Sequence, residues 1–372
     1  MKKGLDPWRI KSADFPAQGA DSEKLQFLVN YAVLAPSKCN GQPWLFEICG
    51  DSLDLICDRN WAFRISDPHR RELTISCGAA LQNLCVAARH LGQAAVIEPF
   101  PQPGDKFLLA RMHLEKSRAP EGPTGLAGSR SLSRPARSGS EKSRVGTFRP
   151  VSNEELFEAM KNRSTDRRPF WNGAPPEEVL EACRLAAFRE GAWLHVIKGA
   201  PGRSAMADLV ARGVREQMAD RSYRREFAKW FHLVRGKSKD GLPGSAYGLR
   251  GPFHLLSPAL SLLLWSLNPA GPLAAQKRRL AARSPVLAVL GTAEDSPAAW
   301  LAAGQGLQAV LLHATALGLA ASFLNQPIEV EHLRNEVREL TGQPGFPQLL
   351  LRLGYGTSHR HTPRRPAKDV VI

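Results

Sequence analysis

The sequence predicts an α+β protein made of two related halves. Three observations carry that expectation. The stretch Ser22–Glu115 reads helix, strand, strand, helix, strand, strand. A similar order of signals returns after residue 151. Between the two lies a basic segment rich in Gly, Ser and Pro. At 372 residues the chain is long enough for about two cores, and a hydrophobic share of 43% suits a globular protein.

In the first half, Leu25, Leu28, Val29, Ala32 and Val33 recur at helical spacing, with Asp21 or Ser22 as the cap, and predict a helix near Ser22–Leu34. The polar loop Pro36–Pro43 follows. Trp44–Cys49 and Leu53–Cys57 read as strands joined by a tight Gly50-Asp51 turn. A helix is expected from about Arg70 to Leu91, stopping at Gly92, with further strands near Ala94–Ile97 and Lys106–Glu115. Residues 116–149 hold eight basic residues against two acidic ones. Such a segment buries too little apolar surface to offset its chain entropy, so it reads as a flexible linker.

The second half predicts helices at Asn153–Lys161 and Glu177–Ala187, a strand at Trp193–Ile197, a buried strand at Val286–Gly291, a long helix at Ala298–Leu317 and a strand at Gln348–Leu353. Between Gly78–Gly92 and Gly304–Gly318, six of fifteen positions are identical, which points to internal duplication. Trp44 stands 34 residues before Gly78, whereas Trp193 stands 111 before Gly304. The second half therefore carries about 77 extra residues, roughly 200–285, and a loop that long reads as a lid. It opens as a charged helix (Ala205–Lys229) and becomes apolar at Phe253–Leu267. The boundaries are an N-terminal extension 1–21, a first half 22–115, a linker 116–150 and a second half 151–372.

Composition narrows the function. No apolar run reaches the ~18 residues of a membrane span, and Met1–Lys11 has no apolar core of a secretory signal. None of the six cysteines sits in a CxxC or at zinc-finger spacing, so the expectation is a reduced, cytoplasmic protein without a metal. The net charge of +15 lacks interleaved aromatics or a nucleic-acid motif, so no nucleic-acid partner is expected. There is no phosphate-binding GxxxxGK[ST], no strand-borne GxGxxG and no GxSxG.

Three clusters remain as candidates. Arg163-Ser164-Thr165-Asp166-Arg167-Arg168 sets two guanidinium groups four residues apart with a hydroxyl between, a pattern suited to phosphate. The Pro36–Pro43 loop puts Ser37, Lys38, Asn40 and Gln42 at a helix-to-strand junction, where they can face the edge of a planar heterocycle. The tail after Gly354, with Arg364 and Arg365, can fold back onto an anion.

Together these clusters resemble the nitroreductase family, and more closely its Acg-type subgroup of single chains with two fused halves. The resemblance rests on Ala35-Pro36-Ser37-x-x-Asn40-x-Gln42-Pro43-Trp44, on Asp67-Pro68-x-x-Arg71-Glu72-Leu73, and on Ile75–Leu81. It continues through Arg163-Ser164-x-x-Arg167-x-Pro169-Phe170, Gln326-Pro327-Ile328-Glu329 and Pro347–Gly356. It covers about residues 22–115 and 152–370. It implies a nitroreductase-like fold, each half an antiparallel-type sheet flanked by helices, forming an intramolecular pseudo-dimer. It further implies one FMN per chain between the halves. Arg163, Ser164, Arg167 and Arg364 or Arg365 would hold the phosphate, and Ser37, Lys38, Asn40 and Gln42 would line the ring. Pro327, Ile328 and Glu329 would lie beside N5 and O4 of the ring. The implied activity is two-electron transfer from NAD(P)H to a nitroaromatic, quinone or similar acceptor, by a monomer or loose homodimer, with no catalytic side chain. The alternative is a non-enzymatic FMN-binding protein whose lid occludes the flavin. Cys39 departs from the His often found there in the subgroup.

Overall fold

The computed structural model describes residues 6–115, 149–171, 173–232, 239–243, 269–356 and 361–372. Most of the expected linker and the apolar stretch Phe253–Leu267 lie outside the described residues. In the first half α1 (Asp21–Ala32) leads to β1 (Trp44–Cys49) and β2 (Ser52–Cys57), then α2 (Arg71–His90), β3 (Ala95–Pro99) and β4 (Leu108–Leu114). Gly50, at φ +64°, takes the left-handed position that the tight β1–β2 turn demands. The second half begins with α3 (Asn153–Asn162), α4 (Glu177–Arg189) and β5 (Trp193–Val196). Next come α5 (Gly199–Ala219), α6 (Arg221–Lys229), the short pair β6 (Phe231–His232) and β7 (Leu242–Pro243), and α7 (Ala270–Ala282). It closes with β8 (Val286–Thr292), α8 (Pro297–Ala316), β9 (Ala320–Phe323), α9 (Gln326–Glu329), α10 (Glu331–Thr341) and β10 (Phe346–Gly354).

Each half holds one four-stranded antiparallel sheet, ordered β1-β2-β4-β3 and β5-β8-β10-β9. With β6 and β7 of the insertion set aside, the strands of both halves occupy their sheets in the same chain order. The α+β reading and the two related halves are therefore seen directly. The contact between halves is centred on α2 and α8, both buried along most of their length. A Cβ on Gly78 would stand 2.2 Å from the Leu301 carbonyl oxygen, and one on Gly304 would stand 2.1 Å from that of Ile75. Ile75 and Leu301 each precede their own helix's glycine by three residues. The contact is thus reciprocal, as across a two-fold axis.

The halves also exchange arms. Leu156, Phe157, Ala159 and Met160 of α3 pack into the first half's core beside Leu25, Trp44 and Leu84. Ala367 and Val370 from the C-terminus join the same core. Phe46 donates to the Val370 carbonyl at 2.8 Å and accepts from Ile372 N–H at 2.9 Å, so the tail lines up beside β1. Residues after α3 return to the second sheet, where Asp166 N–H reaches the Ala321 carbonyl at 2.9 Å.

Several elements differ from the sequence reading, among them α7 (Ala270–Ala282), a 13-residue helix that it did not place. The expected helix Ala205–Lys229 is two helices, broken at Asp220, whose carboxylate accepts from Ser222 N–H at 2.7 Å and caps α6. The strand β9 has only four residues and no alternation to announce it. The helix α10 is charged and buries only Leu333, Val337 and Thr341. Among the described residues no helix is long and apolar enough to cross a membrane.

Candidate functional site between the halves

Among the described residues, the loop after α1 holds three of the five non-glycine residues with positive φ. Cys39, Asn40 and Gln42 have φ of 48°, 58° and 55°, left-handed values that cost non-glycine residues roughly 1–3 kcal/mol each. Such strain persists only where surrounding contacts impose it. Here they come from the insertion and the C-terminal tail of the second half. The Asn40 side-chain oxygen accepts from Arg364 at 2.7 Å, and its amide donates to the Pro363 and Gly241 carbonyls at 3.1 Å each. The Gln42 amide donates to the Lys239 carbonyl at 2.7 Å, and its oxygen accepts from Arg365 N–H at 2.7 Å. Ser37 Oγ accepts from Gln42 N–H at 2.9 Å and closes the loop on itself. A Cβ on Gly41 would meet the Trp230 ring at 3.3 Å, and that ring stacks on Phe63 with centroids 4.6 Å apart. The insertion therefore sits directly against the loop.

Beside the loop lies a buried ion network that joins the halves. Lys38 Nζ is 2.5 Å from Glu72 Oε2 at the start of α2 and 3.1 Å from Glu329 Oε1 in α9. It also donates to the Ser66 carbonyl at 3.2 Å. Asn325 donates to Glu72 at 3.0 Å, and Gln217 of α5 donates to Glu329 at 2.5 Å. The fit of α5 against α9 depends on Gly213, where a Cβ would lie 2.7 Å from the Gln326 carbonyl carbon. Burial opposes the Lys38 charge, but Glu329 and Glu72 outweigh it and hold its pKa above the ordinary lysine value. Burial and the neighbouring Glu72 push the Glu329 carboxyl up to about 7. Burial pulls Glu72 the same way, but Lys38 and Arg71 overcome it and keep that carboxyl below its usual range. The two carboxylates therefore share a proton near neutrality, and it resides on Glu329.

On the other side of the loop lie buried cations. Arg163 and Arg364 are 4% and 6% exposed, and Nε of each lacks a hydrogen-bond partner. Burial alone draws Arg163 down to about 10, and no carboxylate offsets it. Arg364 is lowered by burial and then by Arg163 itself. Its remaining donors go to neutral oxygens: Asn40, Thr362, and the carbonyls of Pro363 and Leu34. Trp8 covers its guanidinium at 5.0 Å, so the N-terminal extension belongs to this region.

Of the residues expected at the site, Ser37, Lys38, Asn40, Gln42, Glu329, Arg364 and Arg365 have contacts in this interface, with different duties. Lys38 is neutralised by the Glu72 carboxylate. The amides of Asn40 and Gln42 fasten the tail and the insertion. Arg365 donates its backbone N–H to Gln42 and its side chain to the Gln42 and Asp369 carbonyls. Ser164 and Arg167 are half-buried beside Arg163, and Pro327 and Ile328 are buried within α9. Sequence reasoning gave no role to Glu72, Gln217, Asn325 or Arg352. An acid in the first turn of an otherwise apolar helix and an arginine inside Leu349–Leu353 were the available signals.

Residues 160–355 match the sequence model of the Nitroreductase family. The chain belongs to the nitroreductase family. Within it the chain is of the Acg type. It is 28% identical over 369 residues to acg of Mycobacterium tuberculosis, which bears an NAD(P)H nitroreductase name, covering 94% of this chain and 95% of that one. Rv3131 of the same organism, also named for an NAD(P)H nitroreductase, is 31% identical over 362 residues, covering 94% and 92%. Among solved structures, the FMN-dependent nitroreductase NfnB of Mycobacterium smegmatis, in complex with NADPH, matches 58% of this chain and 96% of its own at 16% identity and a TM-score of 0.38.

Proposed function

We propose that this chain binds one FMN between its halves and passes two electrons from NAD(P)H to a nitroaromatic, quinone or similar acceptor. The observation that carries the reading is the meeting of a strained first-half loop with buried second-half cations, joined by the Arg364–Asn40 bond at 2.7 Å. Buried guanidinium groups without a counter-anion suit a phosphate dianion, which accepts charge-assisted hydrogen bonds from each. The residues present thus fit the cofactor. Arg163 and Arg364 would hold the phosphate, flanked by Ser164, Arg167 and Arg365. The loop Ser37–Gln42 and the segment Pro327-Ile328-Glu329 would border the ring. When bound, the flavin supplies the hydride and electron chemistry, and the protein supplies orientation and field. Phe63 and Trp230 exclude water from the loop's flank. Lys38 adds little net positive charge, because the Glu72 carboxylate neutralises it.

The test is twofold. Arg163→Ala combined with Arg167→Ala should strip FMN. Each charge-assisted contact contributes roughly 1.5–3 kcal/mol, so affinity should fall about a hundredfold or more. Unchanged flavin content would refute this phosphate site. Anaerobic mixing with NADPH should bleach the blue absorption band within seconds.

A second reading has its own observation: Lys239 and Gly241 of the insertion are bonded to the amides of Gln42 and Asn40. An insertion held on the loop in this way suits a protein that stores FMN without turnover. That reading requires a flavin that stays oxidised under NADPH and becomes reducible once residues ~240–270 are deleted, which removes the Gly241 contact to Asn40.

A further inference from the structure

We propose that Trp8, in the N-terminal extension, is a positioning residue for the cofactor's phosphate: it holds Arg364 by the face of its guanidinium and leaves Nε–H available to the anion. The inference rests on the reading that an FMN phosphate sits at Arg163 and Arg364. The extension is built to present this side chain. Pro7–Arg9 makes one tight helical turn, and the Asp6 carboxylate caps it by accepting from Trp8 N–H at 3.2 Å. On either side of Trp8, Pro7 and Ile10 are buried, and Ile10 belongs to the core of the first half. Trp8 is therefore anchored to the half opposite the one that supplies the basic tail.

Trp8 meets the tail at three points. Its ring stacks on His361 with centroids 4.0 Å apart and planes 16° from parallel. Its indole N–H donates to the Thr362 carbonyl at 3.1 Å. The guanidinium carbon of Arg364 lies 5.0 Å from the ring centre. The Thr362 hydroxyl accepts in turn from Arg364 at 2.5 Å, and Arg364 donates to Asn40 at 2.7 Å. One line of contacts thus runs from the extension through the tail to the strained loop.

Arg364 is 6% exposed, and a cation buried to that degree needs a partner. A carboxylate would serve, but it would occupy the N–H edge and repel a phosphate. An indole attracts a cation through the negative face of its π system and takes up no N–H. The donors that Arg364 does use end on neutral oxygens, and its Nε has no partner. Trp8 therefore steadies the charge while a donor is kept for an anion. A flavin that lacks a phosphate gains nothing from this arrangement.

Trp8→Leu fills much of the same space without a π face. Fluorescence titration of the full-length apoprotein should show FMN bound roughly tenfold more weakly by this variant, with riboflavin affinity unchanged. Trp8→Phe restores an aromatic face without the indole N–H and should return FMN affinity to within about threefold of wild type. In an Arg364→Met background, Trp8→Leu should cost no further FMN affinity, because the partner it acts through is gone. Equal losses of FMN and riboflavin would mean that Trp8 serves only the fold. Unchanged FMN affinity, no rescue by phenylalanine, or an undiminished loss in the Arg364→Met background would each overturn the proposal as well. A wild-type protein that binds FMN no more tightly than riboflavin would be a different failure, since it removes the phosphate reading itself and the role of Trp8 with it.

Discussion

At the scale of single residues, the chemistry is concentrated in charges that were taken out of water and then compensated across the interface. Glu329 makes this measurable. Its carboxyl rises from 4.5 to about 7 in the fold, chiefly through burial and then through Glu72. A carboxyl raised in this way binds its proton more tightly when folded. Its contribution is therefore fully present below about pH 4.5 and is lost as pH climbs through about 7. Stability should fall by on the order of 2–3 kcal/mol across that window. Glu329→Gln should flatten the slope between about pH 5 and 7, read by urea denaturation at several pH values; a slope unchanged by the substitution would place the shared proton elsewhere. Legibility at this scale was uneven. Ser37, Asn40, Arg163 and Arg364 announced themselves through local motifs, because residue type and turn signals in a loop or a tail can be read locally even though the partners of Asn40 and Arg364 lie far along the chain. Glu72 did not, since it gains its meaning from Lys38 in a preceding loop and from Asn325, 253 positions away.

At the scale of elements, the pair α2 and α8 carries the contact between halves, and two glycines set its closeness. Gly78→Ala or Gly304→Ala forces a methyl against a backbone carbonyl that cannot rotate away. Each should cost about 1–3 kcal/mol by pushing the helices apart. The double variant should cost less than the sum, because both methyls press on one crossing. Equilibrium unfolding of the three variants checks this, and full additivity would mean that the two contacts are independent. A milder case is the start of α3. There Ser152 Oγ accepts from Glu155 N–H at 3.2 Å, and the Glu155 carboxylate accepts in return from Ser152 N–H at 2.8 Å. Ser152→Ala should cost about 1 kcal/mol in the same assay. Most elements could be read from periodicity and turn residues. The exceptions included α7 in the insertion, a four-residue strand, a helix with little apolar surface, and a helix break at Asp220 that depends on capping, not on Gly or Pro.

At the scale of the whole molecule, the two halves share a topology but do not share the parts of a site, and this decides how many cofactors the chain can hold. Between α1 and β1 run eleven residues, Val33–Pro43, which make the strained loop. Between α4 and β5 run three, Glu190-Gly191-Ala192, too few for such a loop. The short turn is itself sealed to the other half, where Gln82 of α2 donates to Glu190 at 2.9 Å. The basic tail likewise occurs once, and its end is locked beside β1. The arm exchange, invisible to any local reading of sequence, brings that tail to the loop. Removing residues 367–372 deletes Ala367 and Val370 from the first core and the Phe46 bonds, and should both lower stability and loosen Arg364. On the reading of one flavin between the halves, a pseudo-two-fold molecule therefore has an asymmetric content. Titration of the purified apoprotein with FMN should reach its end point at one equivalent per chain, whether followed by fluorescence quenching or by calorimetry. A second equivalent of comparable affinity would require a ring-bordering loop where Glu190–Ala192 leaves no length for one, and would overturn the assignment of the two halves to complementary roles.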